Sequence, residues 1–259
     1  MTELATAVSG RWFQPSEVDT GAAVRLFLFH CAGAGAAMYR DWPGLLPADI
    51  GVQCVQLPGR QERIGEPAFT DMEPLIEALR AELLPELDDR PYAFLGHSMG
   101  AQIAYRLAVA VERAGAPGPA LLGAVAWAPE GFNFVPPEQA DLPEDQVLAW
   151  IRSLGSAPAE VFDDPALLSL VLPAMRSDLV TFASYRDDGA GVACPVVSYS
   201  ATADPLLPNG SMASWRARTP RYLGNREFPG GHFFIYEQAT AIGTDLTRLL
   251  QRLASTESV

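Results

Sequence analysis

Four residues of this 259-residue chain have types and settings suited to nucleophilic chemistry: a serine between glycines, two acids that follow apolar runs, and a histidine in a glycine-rich loop. Ser98 stands in Gly96-His97-Ser98-Met99-Gly100, directly after the apolar run Pro91-Tyr92-Ala93-Phe94-Leu95 and before a helical pattern beginning near Ala101. A serine hydroxyl is a weak nucleophile at neutral pH. A tight strand-to-helix turn exposes it to a base and to a helix N-terminus, whose partial positive charge stabilises an anion. Glycines on either side let neighbouring backbone pass without a Cβ clash. The pattern alone also describes an ordinary glycine-rich turn, and it is the flanking strand and helix that select the nucleophile elbow.

The general base is sought among 3 histidines. His97 adjoins the serine within the elbow, where its side chain is directed away from the hydroxyl, and His30 ends the first apolar run. His232 lies in Phe228-Pro229-Gly230-Gly231-His232-Phe233-Phe234, a glycine-softened loop after the last apolar run, at the sheet edge where α/β proteins place their ligands. The acid that fixes the imidazole tautomer belongs between serine and histidine, after a strand. Asp204, in Ala201-Thr202-Ala203-Asp204-Pro205, fits; Glu130, after Ala126-Trp127-Ala128-Pro129, is the competing position. One oxyanion donor is expected to be the N–H of Met99 and the other the N–H of Ala32, in His30-Cys31-Ala32-Gly33-Ala34-Gly35. That loop lacks both the phosphate-binding lysine motif and the G-x-G-x-x-G spacing, which argues against a nucleotide site.

Short apolar runs at Val24 to Phe29, Val52 to Leu57, Tyr92 to Leu95, Leu121 to Trp127 and Val196 to Ser200 read as strands covered on both faces. Helical patterns lie between them at Asp71 to Leu87, with Asp71 as N-cap, and at Gln102 to Arg113. A helix over Gly210 to Arg218, a strand over Tyr222 to Phe228 and a helix over Ala241 to Leu253 complete the chain. This alternation predicts one α/β domain with a mostly parallel sheet flanked by helices. It breaks between Glu130 and Asp188, where helical apolar patterns replace strands; this segment is expected to form a lid over an apolar-substrate pocket, with Leu154, Leu172, Met175 and Phe182 in its lining.

A formal charge of −13 repels nucleic acid and anionic membrane, and no basic stripe offsets it; every basic residue other than histidine is arginine. The 3 cysteines, Cys31, Cys54 and Cys194, sit beside or within apolar runs without metal-ligand spacing, so they read as buried free thiols with no metal site. No run approaches the ~20 consecutive apolar residues of a membrane span, and residues 1–10 lack a basic-then-apolar leader, so a cytoplasmic location with no membrane partner is expected.

The chain resembles the α/β-hydrolase superfamily and, more closely, the type II (editing) thioesterases of polyketide and nonribosomal peptide synthases. The likeness runs through Arg11-Trp12-Phe13, the His30 to Gly35 loop, Gln56-Leu57-Pro58-Gly59-Arg60-Gln61-Glu62-Arg63, the elbow, Leu154-Gly155-Ser156-Ala157-Pro158, Leu172-Pro173-Ala174-Met175-Arg176-Ser177-Asp178 and Pro229-Gly230-Gly231-His232-Phe233-Phe234. It departs where the oxyanion loop reads Ala-Gly-Ala-Gly instead of consecutive glycines followed by a small polar residue. The resemblance implies hydrolysis of acyl thioesters on the phosphopantetheine arm of an acyl- or peptidyl-carrier protein, with Ser98, Asp204 and His232 as triad, Ala32 and Met99 as oxyanion donors, and no cofactor. An ester hydrolase or acyltransferase using the same triad, and a binding protein without catalysis, are the alternatives. Arg60 and Arg63 read as loop braces. Arg216 and Arg218, with Arg221 and Arg226, are expected either to dock an acidic carrier near the pocket mouth or to complement a helix end.

Overall fold

The computed structural model describes residues 12–17, 20–132, 138, 141–154 and 165–256. Arg11 and Gly155 to Pro158 lie outside them. Seven strands form one sheet: β1 (Phe13–Gln14), β2 (Val24–Phe29), β3 (Ile50–Val55), β4 (Tyr92–His97), β5 (Leu121–Val125), β6 (Val196–Ala201) and β7 (Tyr222–Phe228), in the order β1-β3-β2-β4-β5-β6-β7. All neighbours are parallel except β1, which pairs antiparallel with β3. A two-residue strand carries no periodicity, which is why the sequence did not reveal β1.

Strand residues alternate between the two faces. Phe27, Phe29 and Phe94 join one apolar cluster, with α1 (Met72–Leu83) and α2 (Met99–Arg113); Leu26, Leu28 and Leu95 join a second, with α5 (Ala239–Thr256). Both faces are thus covered, as the continuous apolar runs require. Between β5 and β6 the described residues contain α3 (Glu144–Ser153) and α4 (Pro165–Ser184). Val147, Ile151, Leu172, Met175 and Leu179 of these helices form a third cluster with Cys31 and Phe233, residues of the loops after β2 and β7. Ala166–Ser184 is the one helix among the described residues long and apolar enough to cross a membrane by composition, and half of that stretch is buried within the protein.

Some element ends differ from the sequence reading. The first helix stops at Leu83 and tightens into a 3₁₀ turn over Leu84–Glu86, where Pro85 lacks the N–H that would continue it. Asp71 caps its start, accepting from the Glu73 N–H at 3.1 Å. Gly210 to Arg218 is not an α-helix but a 3₁₀ run, Ser211–Ala217.

Strand order reverses about β2: the chain moves outward to β3, then returns to β4 on the other side. Ligands of open α/β sheets bind at such a switch point. The register aligns Phe29 with Gly96, so the loop after β2 and the elbow after β4 emerge side by side.

Candidate active site

Ser98 adopts φ 55° and ψ −120°, the strained turn of a nucleophile elbow, and its N–H donates to the Val125 carbonyl at 2.8 Å. The flanking glycines are needed for two close approaches. A Cβ on Gly96 would strike the backbone of Gly100, and a Cβ on Gly100 would strike the carbonyl of Phe29. Helix α2 therefore starts against the end of β2, bringing Met99 to the loop that holds Ala32.

His232 joins the serine to Asp204. Its Nε2 lies 2.9 Å from Ser98 Oγ, and its Nδ1 lies 2.8 Å from Asp204 Oδ2. The Asp204 carboxylate cannot donate when ionised, so the imidazole carries its proton on Nδ1 and presents Nε2 as acceptor to the hydroxyl. The other Asp204 oxygen, Oδ1, accepts the Leu206 N–H at 2.9 Å, which orients the carboxylate from the loop after β6. Glu130, the competing acid, is on the surface, where it accepts from Arg218 at 3.1 Å.

The His232 backbone is clamped on both sides. Its carbonyl accepts the Nε2–H of His97 at 2.9 Å, and its N–H donates to the Leu154 carbonyl at the end of α3, also at 2.9 Å. His97 is fully buried, and burial, then the neighbouring His232, lowers its pKa to about 3; it is a neutral brace. His30 is likewise neutral, lowered to about 4 by burial and then by Arg60, and its Nδ1–H donates to the Cys31 carbonyl at 2.8 Å.

Met99 is the first residue of α2, so its N–H has no intrahelical acceptor. Neither this group nor the Ala32 N–H is taken by a backbone acceptor among the described residues. The Cys31 thiol beside them is pushed up to about 12 by burial and then by Asp178, so it holds its proton and offers no competing nucleophile.

A narrow cleft contains Ser98 and His232 and is walled by Ala32, Trp150, Ile151, Leu154, Met175, Phe182 and Leu206, among others. An adjoining apolar pocket shares Ala32, Ile151 and Met175 with it and adds Leu168, Val171 and Leu172. Of the four predicted lining residues, Leu154, Met175 and Phe182 thus face the serine, and Leu172 stands one pocket further out. Trp150 was missed because its helix reads as generic amphipathic pattern. Phe132, whose ring lies 6.3 Å from that of His232, was missed because no periodic element contains it.

Arg60 and Arg63 brace loops, as read from the sequence. Arg60 pairs with Asp178 and reaches the carbonyls of Pro58 and Ala34; Arg63 pairs with Glu66, bonds the Gln56 carbonyl and stacks on Trp12. The arginine cluster requires a correction. Arg218 is buried and tied to Asp187 at 2.6 Å as well as to Glu130, because its own acidic neighbours satisfy it inside the fold. Arg226 pairs with Asp245 at 3.1 Å. Arg216 is exposed and stacks over Tyr222, 5.3 Å from the ring centroid.

The fold and the elbow define a serine hydrolase of the α/β-hydrolase class. Within that class the chain belongs to the thioesterase family: the model for the thioesterase domain matches residues 24–250. It is 33% identical over 232 residues to the gramicidin S biosynthesis protein GrsT of Aneurinibacillus migulanus, covering 88% of this chain and 89% of that one. To thioesterase PikA5 of Streptomyces venezuelae it is 32% identical, covering 92% and 85%. Among solved structures, the type II thioesterase BorB from the borrelidin biosynthetic cluster superposes with a TM-score of 0.83 at 29% identity, over 92% of this chain and 97% of that one. RedJ, the thioesterase of the prodiginine pathway in Streptomyces coelicolor, superposes with a TM-score of 0.79 at 32% identity, over 86% and 90%.

Proposed function

We propose that this thioesterase hydrolyses acyl thioesters from the phosphopantetheine arm of acyl- or peptidyl-carrier proteins, clearing stalled or aberrant groups from a polyketide or nonribosomal peptide synthase in the cytoplasm. The observation that carries this reading is the unbroken relay from Ser98 through His232 to Asp204, with contacts of 2.9 and 2.8 Å, in a chain similar to named type II thioesterases.

Ser98 Oγ attacks the thioester carbonyl as its proton passes to His232 Nε2, and the imidazolium is stabilised by Asp204. The carbonyl oxygen becomes an oxyanion facing the N–H groups of Ala32 and Met99. Collapse of the tetrahedral intermediate breaks the C–S bond, and the thiolate takes the proton from His232. Water, deprotonated by His232, then attacks the Ser98 ester and releases the acid. The segment from 130 to 188 acts as a lid, its apolar residues holding the acyl chain. Arg216 is the predicted docking residue that keeps a free surface, and a carrier seated there predicts a salt-dependent rise in KM on Arg216→Glu, for carrier-bound substrate alone.

The test offers the purified protein an acyl-loaded carrier, a simple carboxylic ester and an alcohol acceptor. Release of free acid and regenerated carrier thiol, faster than ester cleavage and undiverted to the alcohol, is the expected result. Preferential ester cleavage or acyl transfer would overturn it.

A further inference from the structure

The loop that carries Ala32 is held by helix α4. The Gly33 N–H donates to Asp178 Oδ2 at 2.8 Å, and the same carboxylate takes two guanidinium nitrogens of Arg60 at 2.5 and 2.8 Å. Arg60 also bonds the Ala34 carbonyl at 3.2 Å. Asp178 is only 3% exposed. Burying a carboxylate and a guanidinium costs several kcal/mol of hydration, offset here only by mutual pairing and hydrogen bonds. An apolar helix needs no such pair to sit on an apolar pocket. One turn earlier on α4, Met175 packs so tightly on Gly33 that a Cβ there would lie 3.2 Å from its Sδ and closer still to its methyl.

Hydrogen bonds fix the two peptide planes on either side of Ala32, the first from within the loop and the second from α4. The preceding carbonyl, of Cys31, accepts from His30 Nδ1 at 2.8 Å and from the Ala34 N–H at 3.2 Å. In a trans peptide the N–H points opposite to the C=O, so those bonds aim the Ala32 N–H away from them. The following plane is fixed by Asp178 through the Gly33 N–H. We propose that Asp178, paired with Arg60, is a positioning residue for the oxyanion hole, setting the Ala32 N–H only when α4 is seated over the site. Lid placement and transition-state stabilisation are thereby one event. This inference rests on Ala32 being an oxyanion donor in the proposed thioesterase reaction.

Two double variants isolate the contact: Arg60→Gln with Asp178→Asn, and Arg60→Gln with Asp178→Leu. Neither strands a buried charge, and they differ in whether an acceptor remains for the Gly33 N–H. Each is assayed on a short free thioester, and for binding of a trifluoromethyl ketone thioether and of its unreactive methylene analogue. Ser98 Oγ adds to the ketone carbon, its proton moves to His232, and the carbonyl pair becomes an oxyanion; the methylene analogue fills the same pocket without one. The Leu variant is expected to lose about 10²-fold in kcat, the order seen when an oxyanion donor is removed or displaced, and the same factor in ketone affinity. Its analogue affinity and KM stay unchanged, and the Asn variant regains most of the loss. Equal activity in the two variants, or equal loss of ketone and analogue binding, would overturn the proposal. Should the Leu variant fail to fold, the Arg60→Gln, Asp178→Asn variant alone decides: about a tenfold loss confined to kcat and ketone affinity supports the role, since an amide is a weaker acceptor than a carboxylate, and unchanged values refute it. A wild-type protein that ignores the ketone, or an active Ser98→Ala, would instead sink the underlying thioesterase reading.

Discussion

The backbone N–H of His232 donates to the carbonyl of Leu154 at 2.9 Å, joining the imidazole that faces Ser98 directly to the end of helix α3. With the His97 bond to the His232 carbonyl, it fixes the imidazole from its own main chain. His97→Leu leaves that buried carbonyl without its donor, a loss of about 1 to 3 kcal/mol. Urea unfolding should register this, together with a fall in kcat exceeding any change in KM. His97→Gln, which retains a donor, should recover part of both.

Asp204 and Glu130 are separated by one comparison. Asp204→Asn should lower kcat by on the order of 10⁴, because the amide no longer enforces the Nδ1–H tautomer of His232. Glu130→Gln should leave kcat near wild type, since its carboxylate meets Arg218 at the surface. Steady-state kinetics on a short thioester suffice, and the reverse ranking would move the acid to Glu130.

Buried neutral histidines make stability fall in acid. Folding lowers the pKa of His30 to about 4 and of His97 to about 3, from 6.5. Between 6.5 and those values the unfolded chain binds the more protons, so stability is full above pH 6.5 and declines below it, by up to roughly 1 kcal/mol per pH unit for each. Urea midpoints from pH 7 to 5 should show this decline. His30→Gln should make it shallower, and an unchanged slope would count against His30 as a contributor.

Met175 and Leu172 occupy successive positions outward from the serine. Leu172→Trp should therefore cut activity on long acyl chains while sparing acetyl and propionyl thioesters, and Met175→Trp should impair short chains too. Chain-length profiles that do not separate the two variants would remove the lid's selective role.

The sheet was legible because strands covered on both faces, such as Val24–Phe29, must be apolar throughout. The elbow and His232 were legible because the chemistry demands rare residues in a fixed chain order. What escaped was set by contacts distant in sequence. Arg218 reads in sequence as a docking or helix-end cation, whereas Asp187 and Glu130, 31 and 88 residues away, close on it in the fold. The tie from Asp178 to Gly33 spans 145 residues, and no local pattern announces it.

In the proposed reaction Ser98 forms an acyl-enzyme from a carrier-bound thioester. Rapid-quench mass spectrometry of the protein mixed with acyl-loaded carrier tests it directly. A transient adduct of the acyl mass is expected on the Ser98 peptide, formed and lost at rates that reproduce turnover, and absent in Ser98→Ala along with acid release. Acid release without that adduct, or hydrolysis surviving in Ser98→Ala, would contradict it.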